Sequence, residues 1–113
     1  FESNMTLLHF AVISNAYHCT KFLLSIGLDP NDKDNYGWTP LHYAAKNNNL
    51  KIFTQLLNYR ANDKIFTQYK KVGSSIIGKH TPRQIAEIYK SNYIINYYKN
   101  IIPILHQVKL RDI

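Results

Sequence analysis

The chain has 113 residues, the size of one domain, and 45% of them are hydrophobic, which is enough for a shared core. No apolar run approaches the roughly 20 residues that span a bilayer, no signal-peptide pattern opens the chain, and the single cysteine excludes an internal disulfide and favours a reducing compartment. The net charge of +7 makes the protein basic. Because of the other features, we expect a cytoplasmic protein or the cytosolic part of a membrane protein.

The first predicted unit, about residues 1–33, contains two helical segments. The first begins with the motif Thr6-Leu7-Leu8-His9-Phe10-Ala11, and the second contains Phe22-Leu23-Leu24. Gly27 follows where a left-handed C-terminal cap is expected. The Asp, Asn and Gly residues in the run 29–37 are typical of a turn that redirects the chain.

The second predicted unit, about residues 34–75, carries the clearest motif, Thr39-Pro40-Leu41-His42-Tyr43-Ala44. Its threonine suits an N-cap and its proline suits the first helical turn. Leu50, Phe53, Leu56 and Leu57 then recur at helical spacing and predict a second, amphipathic helix. Arg60 stands where Gly27 stands in the first unit, so we expect an altered helix end there.

The spacing breaks in the loop after the second unit's helices. Leu57 and Thr81 are 24 residues apart, whereas Leu24 and Thr39 are 15 apart, so nine extra residues lie within 62–80. Insertions in repeat proteins map to loops, often on the binding face, yet loop-closure cost grows slowly with length. Two interpretations stay open: a basic and aromatic finger that grips a partner, or a tolerated elongation.

The third predicted unit, about residues 76–99, departs from the motif. It reads Thr81-Pro82-Arg83-Gln84-Ile85-Ala86, so arginine and glutamine replace the motif's leucine and histidine. Tyr89, Tyr93 and Tyr97 follow four residues apart, which we interpret as packing. This unit is expected to close the stack. Residues 100–113 either cap the array or lead into another domain.

The three motif copies are 33 and 42 residues apart, and units this short must stack to bury their apolar faces. At these residues the sequence resembles the ankyrin repeat family, over about residues 1–99, with the third repeat divergent. The resemblance implies an all-α ankyrin-repeat solenoid of stacked helix-turn-helix units with projecting hairpin loops. It also implies that His9 and His42 are structural and hydrogen-bond to neighbouring loops. The start at Phe1, within a repeat loop, suggests a fragment of a longer protein.

The resemblance further implies a non-catalytic protein-protein interaction module that recruits a partner protein for a larger parent protein. Partners of the family usually dock on the concave surface made by the loop tips and first helices. Tyr36 and Trp38 are the strongest candidates because large aromatics are enriched in interface hot spots; the alternative is packing of the loop against the neighbouring unit. The candidate positions are Met5, Ile13, Lys33, Asn35, Tyr36, Trp38, Lys46 and Asn47, with Glu2, Ser3 and Ser14 beside them.

Charge is unevenly distributed along the chain. Residues 1–34 carry four acids and two bases, whereas residues 35–111 carry twelve bases and two acids. This distribution predicts an acidic protein partner. The alternative is a basic surface that binds nucleic acid or another anionic ligand through the inserted loop, although no dedicated nucleic-acid motif is present. Its candidate contacts are Arg60, Lys64, Lys70, Lys71 and Lys79.

No catalytic, metal or cofactor site is predicted. The stretch 73–79 has the glycine spacing of a phosphate-binding loop, but His80 stands where that motif needs serine or threonine. His18 and Cys19 are adjacent, so on a helix their side chains diverge. Cys19 aligns with the apolar Ile52, which predicts a buried thiol. The five histidines lack metal-ligand spacing.

Overall fold

The computed structural model describes residues 4–68, 70–72 and 75–101. In this part of the chain six α-helices form three antiparallel pairs, α1 with α2, α3 with α4 and α5 with α6, which stack in sequence order. The predicted all-α solenoid of stacked helix-turn-helix units is therefore confirmed. The helices are α1 (Leu7–Ile13), α2 (Tyr17–Ser25), α3 (Pro40–Lys46), α4 (Leu50–Asn58), α5 (Pro82–Ile88) and α6 (Asn92–Asn96), and α6 continues into a π-helical turn at Tyr97–Ile101.

The first helix of each pair begins after a threonine N-cap, as the motif predicts. The side chain three residues later returns to the threonine backbone: the Thr39 N–H donates to Nδ1 of His42 at 3.0 Å. In the third unit the Thr81 N–H donates to Oε1 of Gln84 at 2.9 Å. Glutamine thus replaces the motif histidine in the cap, because both side chains place an acceptor at this position.

The expectation of an altered helix end at Arg60 is wrong. Helices α2 and α4 both have nine residues, and Arg60 adopts a left-handed φ of 69°, as Gly27 does with 100°. The same capping bond follows each: Leu28 N–H donates to the Leu23 carbonyl at 3.1 Å, and Ala61 N–H to the Leu56 carbonyl at 3.0 Å. The cap therefore holds arginine in a conformation that glycine adopts without steric cost.

The hydrophobic core runs through the stacked pairs. Alanines at three positions of α3 and α5 let the helices approach closely. Each fully buried leucine or isoleucine contributes about 1.5–3 kcal/mol to the free energy of unfolding. The core residues are Leu8, Val12, Leu24, Leu41, Ala44, Ala45, Ile52, Phe53, Leu56, Ala61, Ile85, Ala86 and Ile94.

Cys19 is exposed, so the predicted buried thiol is wrong. Its repeat equivalent Ile52 is fully buried because α2 packs against α4 on that side. Phe22 shows the same difference, being 60% exposed where its equivalent Gln55 is 7% exposed. In the described part of the chain no helix pair precedes the first unit, α1 and α2, so nothing covers the corresponding face of α2.

The inserted loop contains a two-stranded antiparallel hairpin, β1 (Lys70–Val72) and β2 (Ser75–Ile77), in which Lys71 is opposite Ile76. Its base is closed by two hydrogen bonds: Thr67 N–H donates to the His80 carbonyl at 2.8 Å, and His80 N–H donates to Thr67 Oγ1 at 3.0 Å. The inserted loop is therefore fixed at its base. The phosphate-loop stretch lies partly outside the described residues.

The packing interpretation of the tyrosine series holds for Tyr97 alone. Tyr97 is half-buried against Phe53, with ring centroids 6.1 Å apart. Tyr89 and Tyr93 are 49% and 66% exposed, because Tyr89 lies in the turn after α5 and Tyr93 on the outer face of α6. Tyr98, which was not singled out, donates its hydroxyl to Asp63 at 2.7 Å; burial and this bond raise its pKa.

Among the described residues no helix has the length and apolar character needed to cross a membrane. Most of the predicted capping or linking segment, residues 102–113, lies outside the described residues.

Candidate protein-interaction groove

The loop 34–38 is built around the carboxylate of Asp34, which is only 4% exposed. Its Oδ1 accepts hydrogen bonds from the N–H groups of Tyr36 and Trp38, each at 2.9 Å. Its Oδ2 accepts from the hydroxyl of Tyr43. Burial and the bond to Asp34 raise the pKa of Tyr43, so this hydroxyl stays protonated and remains a donor. These three hydrogen bonds to Asp34 therefore fix the loop that carries both aromatic candidates, Tyr36 and Trp38.

The next loop sits directly on the tip of this one, at Gly37. The Gln68 N–H donates to the Tyr36 carbonyl at 2.9 Å. Gly37 has a left-handed φ of 74°, and a Cβ added there would lie 2.7 Å from the Gln68 nitrogen. Only glycine permits this close approach. The loop 34–38 and the adjoining segment at Thr67 and Gln68 therefore form one continuous wall.

His9 and His42 connect each unit to the next loop, which confirms their predicted structural role. Nδ1 of each ring accepts the N–H of its own N-cap threonine, Thr6 or Thr39. Because Nδ1 is an acceptor, the proton resides on Nε2. That nitrogen donates to the Trp38 carbonyl at 2.9 Å from His9 and to the His80 carbonyl at 3.0 Å from His42. Burial lowers the pKa of His42 to about 4.

A groove of about 290 Å³ lies between this wall and the helices α3 and α5. At one side the rings of Trp38 and Tyr43 pack with centroids 4.8 Å apart. At the other, Lys46 places its Nζ 5.3 Å from the ring centroid of Tyr89. The lining residues are Tyr36, Trp38, Tyr43, Lys46, Thr67, Gln68, His80, Ile85, Ile88 and Tyr89.

Three of the predicted partner-binding residues meet in this groove: Tyr36, Trp38 and Lys46. Tyr36 is 41% exposed, whereas Trp38 is half-buried and packs partly on the core. The remaining five are not among the residues that line it. Lys33 and Asn35 are exposed before the loop tip, Asn47 is exposed and donates to the Ile13 carbonyl at 3.2 Å, Ile13 is 36% exposed, and Met5 is half-buried.

Sequence reasoning missed the third unit's contribution, Ile88 and Tyr89, which are 53% and 49% exposed. A signal was present: these residues follow Lys46 and Asn47 by 42 positions, the spacing of the second and third motifs. The predicted partner-binding positions belong to the first two units alone. The other unpredicted lining residues are Tyr43, Thr67, Gln68, His80 and Ile85.

The candidate anionic contacts are not among the residues that line the groove. Arg60 and Lys64 are exposed just after α4, and Lys79 is exposed at the end of the inserted loop. Lys70 and Lys71 belong to β1, and their side chains lie outside the description. Within the described ranges, no three His, Cys, Asp or Glu side chains are grouped so as to hold a metal ion.

The family model for ankyrin repeats (3 copies) matches residues 2–67, and the chain belongs to the ankyrin repeat family. Ankyrin repeats are in general protein-interaction modules without enzymatic activity.

Among individual proteins, the chain is 37% identical over 81 residues to the RelA-associated inhibitor of Mus musculus, covering 72% of this chain and 10% of that protein. It is 32% identical over 98 residues to the putative ankyrin repeat protein FPV219 of Fowlpox virus, covering 85% and 23%. It is also 37% identical over 59 residues to protein phosphatase 1 regulatory subunit 27 of Homo sapiens, covering 52% and 38%. The chain therefore spans a minor part of the length of these relatives.

Proposed function

We propose that this chain holds a partner protein in the groove between the loop 34–38 and helices α3 and α5, and so recruits that partner for a longer parent protein. One observation carries the proposal. Ile88, Tyr89 and Tyr36 are 53%, 49% and 41% exposed around the same groove. Apolar and aromatic side chains gathered at one concave site, instead of scattered singly, mark an interaction surface.

Rigidity supports the same function. Asp34 fixes the loop by three hydrogen bonds, and His9 ties the Trp38 carbonyl to α1. A surface that is already ordered loses little conformational entropy when a partner docks. With a volume of about 290 Å³, the groove is at the lower limit of small-molecule sites and suits one or two side chains of a protein.

Charge supports an acidic partner. The twelve bases and two acids of residues 35–111 favour encounter with a negatively charged surface, more strongly at low salt. We place the complex in the cytoplasm or on the cytosolic part of a membrane protein, because an exposed Cys19 is best preserved in a reducing compartment.

The test is affinity capture from the native cell with mass spectrometry, using the wild-type chain and two exposed-residue variants. The groove variant combines Ile88→Glu with Tyr89→Ala. The matched control is Tyr93→Ala, a tyrosine that is 66% exposed on α6 and does not line the groove. A partner retained by wild type and control but lost with the groove variant, and binding the purified chain directly, is the expected result.

Equal capture by all three proteins, with circular dichroism showing intact helices, would remove the groove from the interface. The double variant Tyr36→Ala with Trp38→Ala extends the test to the loop. Because Trp38 packs partly on the core, its result counts only when the unfolding midpoint shows that the variant remains folded.

A further inference from the structure

Two polar groups in the groove lining already have partners within the chain. The Tyr43 hydroxyl is occupied by Asp34, and Thr67 Oγ1 accepts from the His80 N–H at 3.0 Å. The aromatic and aliphatic side chains of Trp38 and Ile88 supply apolar surface. The surface of the groove is mostly apolar, so selection by it depends mainly on shape and apolar contact.

The lining residues include one lysine, Lys46, and the imidazole of His80, but no arginine and no carboxylate. The Nζ of Lys46 lies over the Tyr89 ring at 5.3 Å, an exposed cation–π contact of the weaker kind. That contact leaves the three N–H donors of the ammonium group to interact with an anion.

The nearby acids do not neutralise this position. The Asp34 carboxylate is buried and bonded to Tyr36, Trp38 and Tyr43. Glu87 lies 4.0 Å from Arg83 on α5. A carboxylate that enters with a ligand therefore meets Lys46 without a lining acid to repel it.

We propose that the groove receives an aromatic side chain of a partner segment and that an adjacent carboxylate of the same segment pairs with Lys46. The partner's chemistry is thus an acidic-aromatic linear segment. This inference rests on the proposed function, since it names the part of the partner that enters the same groove.

Two probes that differ only in the carboxylate test the inference: N-acetyltryptophan and its neutral amide, N-acetyltryptophanamide. Each is titrated into the isotope-labelled full chain at low salt, and the nuclear magnetic resonance signals of Trp38, Ile88 and Tyr89 are followed. We expect both probes to shift these signals. The carboxylate probe should bind about two- to five-fold more tightly, the size of effect typical of an exposed ion pair.

Lys46→Gln should abolish this preference, whereas the matched control Lys51→Gln should retain it. Lys51 makes an equivalent contact over the Tyr17 ring, at 4.1 Å, but does not line the groove. Both lysines are exposed, so neither change should alter folding, which circular dichroism checks.

Equal affinity of the two probes for wild type, loss of the preference in both variants, or no shift of the groove signals would each overturn the inference. The proposed function fails separately. If neither probe shifts the groove signals while the Ile88→Glu, Tyr89→Ala variant still loses the captured protein, the ligand chemistry is wrong and the binding function stands.

Discussion

Arg60 repeats at the end of α4 the backbone conformation that Gly27 adopts at the end of α2, with φ values of 69° and 100°. The left-handed region costs a side-chain-bearing residue roughly 1–2 kcal/mol, whereas glycine adopts it freely. We therefore expect Arg60→Gly to raise the free energy of unfolding by about 1 kcal/mol after the larger backbone entropy of unfolded glycine is subtracted. Urea denaturation measures the change.

Arg60→Ala is the control for this substitution. It removes the same charge and retains the Cβ that makes the left-handed conformation costly, so it should not stabilise the chain. The Asn31 side-chain amide donates to the Arg60 backbone carbonyl, at 3.2 Å, and this bond persists in both variants because it does not involve the Arg60 side chain. Equal stability of the glycine and alanine variants would show that backbone strain at this cap is negligible.

Gly37 and Gly27 offer a second matched pair. Both have positive φ, but a Cβ at Gly37 would lie 2.7 Å from the Gln68 nitrogen, whereas nothing lies within 4 Å of one at Gly27. Gly27→Ala should cost about 1 kcal/mol of stability through backbone strain alone. Gly37→Ala should cost more, because it also separates the two loops.

Hydrogen exchange at the Gln68 amide checks this mechanism. It should accelerate in Gly37→Ala and stay unchanged in Gly27→Ala, since only the first change disturbs the Gln68 bond to the Tyr36 carbonyl. Equal losses of stability, with an unaltered Gln68 amide, would contradict the close-approach argument.

His42 makes stability depend on pH. Its pKa is about 4 in the folded chain and about 6.5 when unfolded, so between these values the unfolded state binds more protons. The contribution is fully present above pH 6.5 and is lost as pH falls toward 4, on the order of 3 kcal/mol over the whole window. The stability of wild type should therefore fall steeply across this range.

His42→Gln separates this residue from the other titrating groups. Glutamine preserves the cap, as Gln84 does with Thr81, but does not titrate. At pH 7.5 the variant should be about 1 kcal/mol less stable than wild type, through loss of the bond to the His80 carbonyl. Urea denaturation at pH 7.5, 5.5 and 4.5 should show this gap closing and then reversing in sign as the pH falls, because the titration of His42 removes more than about 1 kcal/mol of wild-type stability; a constant gap would exclude His42 as the source.

The sequence predicts the fold well, because its repeated features are local. Thr39-Pro40, the apolar spacing of α4 and Gly27 each encode a cap, a face or a helix end within a few residues, and the structure has all three. Arg60 and Cys19 were predicted wrongly for a different reason. The left-handed cap at Arg60 is imposed by bonds to the preceding helix, and burial at the Cys19 position depends on whether another helix pair covers it.

The groove could be predicted only in part. Tyr36, Trp38 and Lys46 follow from the repeat positions of the second unit, and the same alignment applied to the third gives Ile88 and Tyr89. Thr67, Gln68 and His80 do not follow from it. They reach the groove because the inserted segment is closed at its base by the Thr67–His80 hydrogen bonds, a long-range pairing that motif spacing does not encode.

Tyr43 connects the stability of the loop to the groove. Tyr43→Phe retains the ring beside Trp38 but removes the hydroxyl that donates to the buried Asp34 carboxylate. Loss of a hydrogen bond to a charged group should lower the free energy of unfolding by about 2 kcal/mol. Because the Asp34 carboxylate is then less restrained, the Trp38 amide hydrogen bonded to it should exchange faster with solvent. Tyr59→Phe, at a tyrosine 40% exposed after α4, is the control and should change stability by less than about 0.5 kcal/mol. If Tyr43→Phe leaves both the free energy of unfolding and the Trp38 exchange rate at wild-type values, Asp34 holds the loop through its backbone bonds alone.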